Sequence, residues 1–212
     1  MPKRLTPGPG KRILSQRWSA FVRNHAQAIV ECDFCVAMPV TFRRLYVFVV
    51  IEHASRRLLH INVTAHPTAA WTLQQLREAT PSDHGYRFLI HDRDSIFSQA
   101  LDHSIRNLGL RVLKTPPRAP RANAICERLL GTLRRECLDF VIPITEHHLR
   151  RLLQEWVGHD NTGRPHMSLG PGIPQPPSSL PVSPQEHRRH IPKHLRVVGH
   201  PILGGLHHDY GL

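Results

Sequence analysis

Lysine is nearly missing from this chain of 212 residues, where 4 Lys stand beside 24 Arg. Acids are also short: 16 Asp and Glu leave a formal charge of +12. Such a chain is a poor receptor for cationic partners. It concentrates polyanions, and the planar guanidinium fork suits phosphate oxygens, so nucleic acid is the expected partner. Long apolar runs are lacking too. No stretch of about 18 apolar residues occurs, which argues against a membrane-spanning helix, and the basic first dozen residues have no apolar centre of the signal-peptide kind. A cytoplasmic protein without a membrane partner is expected. Cysteine is scarce: Cys32, Cys35, Cys126 and Cys137 are too few and too scattered for a disulfide scaffold. Cys32 and Cys35 have the spacing of half a zinc site. They fall in an extended apolar segment, however, where residues three apart face opposite ways, and no second pair accompanies them, so core cysteines are expected. What is present in quantity is apolar: 40% hydrophobic residues suffice for the core of one domain with tails.

The chain divides by composition into three parts. Residues 1–26 are a basic extension with Pro2, Pro7, Gly8, Pro9 and Gly10 and a short helix near Trp18 to His25. Residues 27–170 carry regular hydrophobic patterning. Residues 171–212 form a tail rich in Pro, Gly and His, expected to be irregular after Asn161. Within the middle part, Ala28–Val36 reads as a first strand, and the nearly continuous apolar run Arg44–Glu52 as a central strand. Leu58–Thr64 alternates as a third, with Arg56 and Arg57 in the intervening turn. Thr68 caps a helix that runs to about Thr80, Tyr86–His91 is a short strand ending on Asp92, Ser98–Leu108 is helical with Gly109 as its stop, and Arg111–Leu113 is a fifth strand. Three prolines exclude both helix and central strand from Thr115–Ala122, a basic loop before a helix capped by Asn123. A further helix from Glu146 to about Gly158 has Leu149, Leu152, Leu153 and Trp156 as its stripe. The order predicts an α/β fold with a five-stranded mixed sheet flanked by helices.

Three carboxylates stand out against this background. Asp33 lies inside an apolar strand, where an unpaired charge costs several kcal/mol unless a cation offsets it. Asp92 follows the end of a strand, the place where ligands collect in a parallel sheet, and Asp94 is its rival. Glu127 falls off the apolar stripe Cys126, Leu129, Leu130, Leu133 and Cys137 of its helix and shares a face with Asn123, Gly131 and Arg134. Thirty-four residues separate it from Asp92. If the three converge, they supply the all-oxygen ligation that Mg²⁺ or Mn²⁺ prefers. Two such ions about 3.5 to 4 Å apart would serve an in-line phosphoryl transfer with no covalent protein intermediate.

The strings Ile90-His91-Asp92-Arg93-Asp94, Arg118-Ala119-Pro120-Arg121-Ala122-Asn123-Ala124-Ile125-Cys126-Glu127-Arg128 and Asn161-Thr162-Gly163-Arg164-Pro165-His166 resemble the catalytic core of integrase-type DDE transposases of bacterial insertion sequences, relatives of retroviral integrases. The resemblance runs from about Trp18 to Leu169. It implies an RNase H-like fold with Asp33, Asp92 and Glu127 as the catalytic and metal-binding triad. It also implies two Mg²⁺ (or Mn²⁺) ions, DNA strand cleavage followed by attack of a 3′ hydroxyl on target DNA, and a homo-oligomer assembled on DNA. Arg118, Arg121, Asn123, Arg128, Arg134, Arg135 and Arg164 are the expected DNA contacts, each neutralised phosphate adding about 0.9 to the salt slope of duplex binding.

The chain departs from the family pattern in three places. Asp160-Asn161 stands where the family has an aromatic residue before the Asn, and the Asp92 to Glu127 interval is about one residue shorter than usual. Only about 26 residues precede the core, where such transposases carry a helix-turn-helix region, so an N-terminally truncated copy is expected. Two other readings stay open: an RNase H-like nuclease without strand transfer, and a catalytically silent remnant that only binds DNA.

Overall fold

The structure, a computed structural model, describes residues 18–92, 94, 96–114, 123–170, 172–176 and 196–211. A five-stranded sheet in the order β3-β2-β1-β4-β5 forms from Ile29–Ala37 (β1), Leu45–Glu52 (β2), Leu58–Thr64 (β3), Phe88–His91 (β4) and Arg111–Lys114 (β5). β1, β2 and β3 pair antiparallel, and β4 and β5 extend the sheet in parallel on the other side of β1. The expected α/β fold with a mixed sheet is therefore what forms. β1 is its central strand, and in β2 beside it Val47 to Ile51 are all 0–2% exposed because helices cover both faces. Alternation divides them: Val47, Val49 and Ile51 join one apolar cluster, Phe48 and Val50 the other.

A helical stretch over residues 18–24 (α1) places Phe21 edge-on against Phe88 of β4, with ring centroids 5.1 Å apart. One face of the sheet carries α2 (Ala69–Ala79) and α3 (Gln99–Arg106). Each starts on a hydroxyl: Thr68 accepts from the Trp71 N–H and Ser98 from the Leu101 N–H, both at 3.2 Å. Leu76, Leu101 and Ile105 pack there on Val30, Cys32 and Leu89. The opposite face carries α4 (Ala124–Leu133), prolonged by a π-helical turn over Arg134–Leu138, and α5 (Glu146–Thr162). Cys126, Leu129, Leu133, Leu149, Leu153 and Trp156 are their buried stripe. Each such side chain contributes about 1.5–3 kcal/mol by leaving water. Cys32 and Cys35 join different clusters, so they point to opposite sides of β1, and all four cysteines are free and buried.

Two expectations are corrected. α5 does not stop at Gly158 but continues to Thr162, held by a contact that patterning does not register. The Asn161 side chain imitates a strand neighbour: its Oδ1 accepts from Leu58 N (2.9 Å) and its Nδ2 donates to Leu58 O (3.0 Å). The tail is also not irregular throughout. Val198–Ile202 (β6) and His207–Gly211 (β7) make a hairpin whose turn needs positive φ at Gly204 (68°) and Gly205 (97°). It docks on α5 through buried Leu203, whose N–H donates to Glu155 Oε1 (2.5 Å), and through the pair His159 Nδ1 and Asp209 Oδ1 (2.6 Å). The basic proline loop with Arg118 and Arg121, and the first 17 residues, lie outside the described residues. No helix among the described residues is long and apolar enough to cross a membrane.

Candidate active site

Strand alternation puts Glu31, Asp33, Cys35 and Ala37 on the side of β1 that faces α4 and α5, so Asp33 is carried beneath the helix that bears Glu127. Asp33 is partly buried, and its carboxyl is pushed up to about 7. Burial is the main cause; the N–H of Phe34, 2.8 Å from Oδ1, acts against it, and the charges of Asp92, Glu127 and Asp94 add to it. Asp92, Glu127 and Asp94 are thus each within electrostatic reach of Asp33.

Asp92 reaches this place by strand register. β1 and β4 pair in parallel, with Glu31 opposite Ile90 as the last pair, and Asp92 follows the end of β4 within electrostatic reach of Asp33. Its backbone is fixed from behind: His91 is fully buried, with Nδ1 2.6 Å from the Asp92 carbonyl and Nε2 3.1 Å from Asp102 Oδ1. The other Asp102 oxygen pairs with Lys114 Nζ at 2.6 Å, and Phe97 stacks on the imidazole at 4.2 Å. Asp92 Oδ1 accepts from the Asp94 N–H (3.0 Å), which ties the two acids into one short turn. Asp94 lines the cleft, and Asp92 exerts the larger field on Asp33.

Glu127 is exposed on the first turn of α4. Two side chains of β1 anchor that turn. Glu31, 1% exposed, accepts from the backbone N–H of Cys126 through Oε2 (3.2 Å) and is paired with His53 Nδ1 through Oε1. Asn123 Nδ2 donates to Asp33 Oδ2 at 3.3 Å. Asn123 therefore does not cap α4 with its side chain as expected; at 2% exposure it is turned inward to Asp33. Glu31 and Asp33 are two apart on one strand, so together they grip one helix end.

The cleft over these groups has a volume of about 490 Å³ and includes Asp33, Asp94, Glu127, Gly131 and Arg134. The Arg135 guanidinium lies against Gly131, and Arg134, exposed at the cleft, donates from Nη2 to Val36 O (3.2 Å). Arg135 is exposed beside Gly131, and Arg128 turns around α4 into a second cavity. Arg164 is engaged within the protein, 2.6 Å from Glu136 Oε1 and 3.6 Å from Asp160 Oδ1.

Among the described residues, no three His, Cys, Asp or Glu side chains are gathered tightly enough to ligate one ion as they stand. The donor set nevertheless fits a hard divalent cation. Asp33, Asp92 and Glu127 present oxygen only, and burial first, with the neighbouring acids second, disfavours the charged form of Asp33, a cost that a bound cation would offset. Sequence reasoning missed Glu31 and the His91, Asp102 and Lys114 chain. For Glu31 a signal existed, since it lies two residues before Asp33 in the same strand; the other chain joins residues from three elements and has no local pattern.

Residues 108–174, about a third of the chain, match the integrase core domain family. The fold is shared with the catalytic domain of Mos1 mariner transposase, at 16% identity and a TM-score of 0.59 over 74% of this chain and 85% of that one. A structure of the Mos1 transposase catalytic domain with raltegravir and Mg gives 16% identity and a TM-score of 0.57 over 73% and 85%. The catalytic core domain of BIV integrase matches at 15% identity and 0.52 over 70% and 91%. No curated protein sequence matches the chain significantly. The chain thus has the RNase H-like integrase and transposase core fold, with an integrase-core sequence match that includes Glu127.

Proposed function

We propose that residues 27–170 are the catalytic core of an integrase-type DDE transposase, which cleaves a DNA strand and joins the resulting 3′ hydroxyl to target DNA. The observation that carries this reading is the acidic cleft: Asp33 on β1 and Glu127 on α4 line it together with Asp94, and Asp92, after β4, acts by its charge on the Asp33 carboxyl, which is pushed up to about 7. In this reading these three residues hold two Mg²⁺ or Mn²⁺ ions. When bound, such ions activate the attacking oxygen and stabilise charge on the departing one. The rest is done by the chain. Asp33 gives up its proton as cation binds, so that a full set of carboxylates faces the phosphate. Asn123 and Glu31 keep β1 and α4 at a fixed separation, so that the acids on the two elements act on one phosphate. Gly131 admits the sugar-phosphate backbone, and Arg134 and Arg135 neutralise it. Assembly of two or more copies on DNA belongs to the same reading, as does DNA binding by the basic loop with Arg118 and Arg121.

The test is a strand-transfer assay with Mn²⁺ and a generic oligonucleotide duplex, comparing the chain with Glu127→Gln. Joined products that vanish in the variant support transposase chemistry. Cleavage without joining indicates a nuclease of the same fold, and DNA binding with no metal-dependent chemistry indicates a silent remnant.

A further inference from the structure

Around α4 from the acidic cleft lies a second cavity, of about 360 Å³, walled by the β2–β3 turn, α4 and the Arg164-Pro165-His166 segment. Its floor is apolar, with Ile51 and Leu129. Its polar groups are unequal in charge: Arg56, Arg128, Arg164 and His166 stand around a single carboxylate, Asp160.

The cations differ in how they are used. Arg164 is spent on Glu136, and with His166 Nε2, 3.4 Å from Asp160 Oδ1, it balances the charge of the fully buried Asp160 at ion-pair distance, although the carboxylate oxygens accept no hydrogen bond among the described residues. Arg56 and Arg128 are left facing the cavity. Arg56 sits in the turn at φ 65°, half-buried, with Nη1 donating to His53 O (2.6 Å), which aims the remaining guanidinium donors. Burial holds its guanidinium below the ordinary value; the Glu31 carboxylate opposes this and the like charge of Arg128 adds to it. Arg128 has no hydrogen bond or ion pair among the described residues. Two guanidiniums lining one half-open cavity are complementary to an anion with several oxygens, and the fork geometry favours phosphate.

We infer that this cavity is a second DNA-backbone site, in which Arg56 and Arg128 each neutralise a backbone phosphate beside the one at the carboxylates. The inference rests on DNA being the substrate. Arg128 is the residue after Glu127, about 100° further around α4, so a duplex lying across the helix to reach the acids brings its flanking phosphates to this wall. Arg56 then supplies a contact from an element that no sequence motif points to. The Arg-Pro-His segment is a wall for the site and its arginine a support, not a ligand.

Anisotropy titrations of a generic fluorescent duplex, at salt from about 50 to about 200 mM, measure the number of phosphates neutralised. Arg56→Ala and Arg128→Ala are each expected to lower the slope of log K against log salt by about 0.9, and Arg128→Lys to retain it. Arg106→Ala, exposed on α3 across the sheet, is expected to leave the slope unchanged. Inorganic phosphate added at constant ionic strength separates the two sources of the anion. Displacement of the duplex at low millimolar phosphate would assign the cavity to free phosphate and overturn the inference. If Arg56→Ala and Arg128→Ala bind with the slope of the unaltered chain, or all three alanine variants fall alike, the inference is also overturned while DNA as substrate stands. No binding by the unaltered chain would overturn both.

Discussion

Asp33→Asn tests the reasoning about the acidic cleft without any assay of catalysis. A carboxyl whose value in the folded chain lies above its ordinary 3.8, at about 7, binds its proton more tightly folded than unfolded. Folding is then favoured in acid, and stability falls as pH rises from about 4 through about 7, the reverse of the behaviour of a salt-bridged carboxylate. Three pH units at about 1.4 kcal/mol each give about 4 kcal/mol, and screening at the open cleft reduces this to about 2–4 kcal/mol. Asparagine keeps the shape and the hydrogen-bond acceptor for Phe34 but carries no charge. In chelator-treated buffer, urea denaturation of the unaltered chain is expected to show that loss between about pH 4 and about pH 7, with a plateau above, and Asp33→Asn to escape it and be the more stable protein in alkali. Adding Mg²⁺ at the higher pH should then stabilise the unaltered chain and leave the variant unchanged, since only the first gains by mass action. Superimposable pH profiles in the two chains would refute the account of the cleft as charge awaiting a cation.

Further outcomes follow from named contacts. Glu31→Ala leaves the Cys126 N–H without its buried acceptor and is expected to cost about 1–3 kcal/mol in denaturation, with a fall in Mn²⁺-dependent cleavage; Glu31→Gln, which can still accept from Cys126, should recover most of the stability. Asn161→Ala removes both hydrogen bonds to Leu58 and should cost about 2–4 kcal/mol, with faster amide exchange in the last turn of α5. Gly163→Ala puts a methyl group where the Asp209 carboxylate sits, so the hairpin should lose its pairing with His159 and be cut sooner by protease, with the core midpoint shifted by no more than about 1 kcal/mol.

The sheet was legible because each strand announces itself locally. The run Val47 to Ile51 can only be covered on both sides, and alternation around Cys32 and Cys35 sends them to opposite clusters. Helix starts at Thr68 and Ser98 were equally plain, since an N-terminal hydroxyl acts within three residues. Asn123 shows where that logic fails. Its type and place are those of a cap, but a partly buried carboxylate 90 residues earlier in the chain competes for its amide, and a donor spent inside the site is worth more than one at a solvated helix end. Gly158 failed as a stop for the same kind of reason, a tertiary contact from Asn161 outweighing about 1 kcal/mol of helix propensity.

The sequence by itself determined that Asp33 would lie within an apolar strand and Glu127 off the apolar stripe of its helix, because the periods of strand and helix leave them no other place, and that excess arginine suits a polyanion. Tertiary structure alone decided which groups share a field. The parallel pairing of β1 and β4 brings the charge of Asp92 to bear on Asp33, Glu31 grips the first turn of α4, and the β2–β3 turn sets Arg56 beside Arg128. Those pairings join residues tens of positions apart, and electrostatic and hydrogen-bond energies depend on distance in space, which no local pattern encodes.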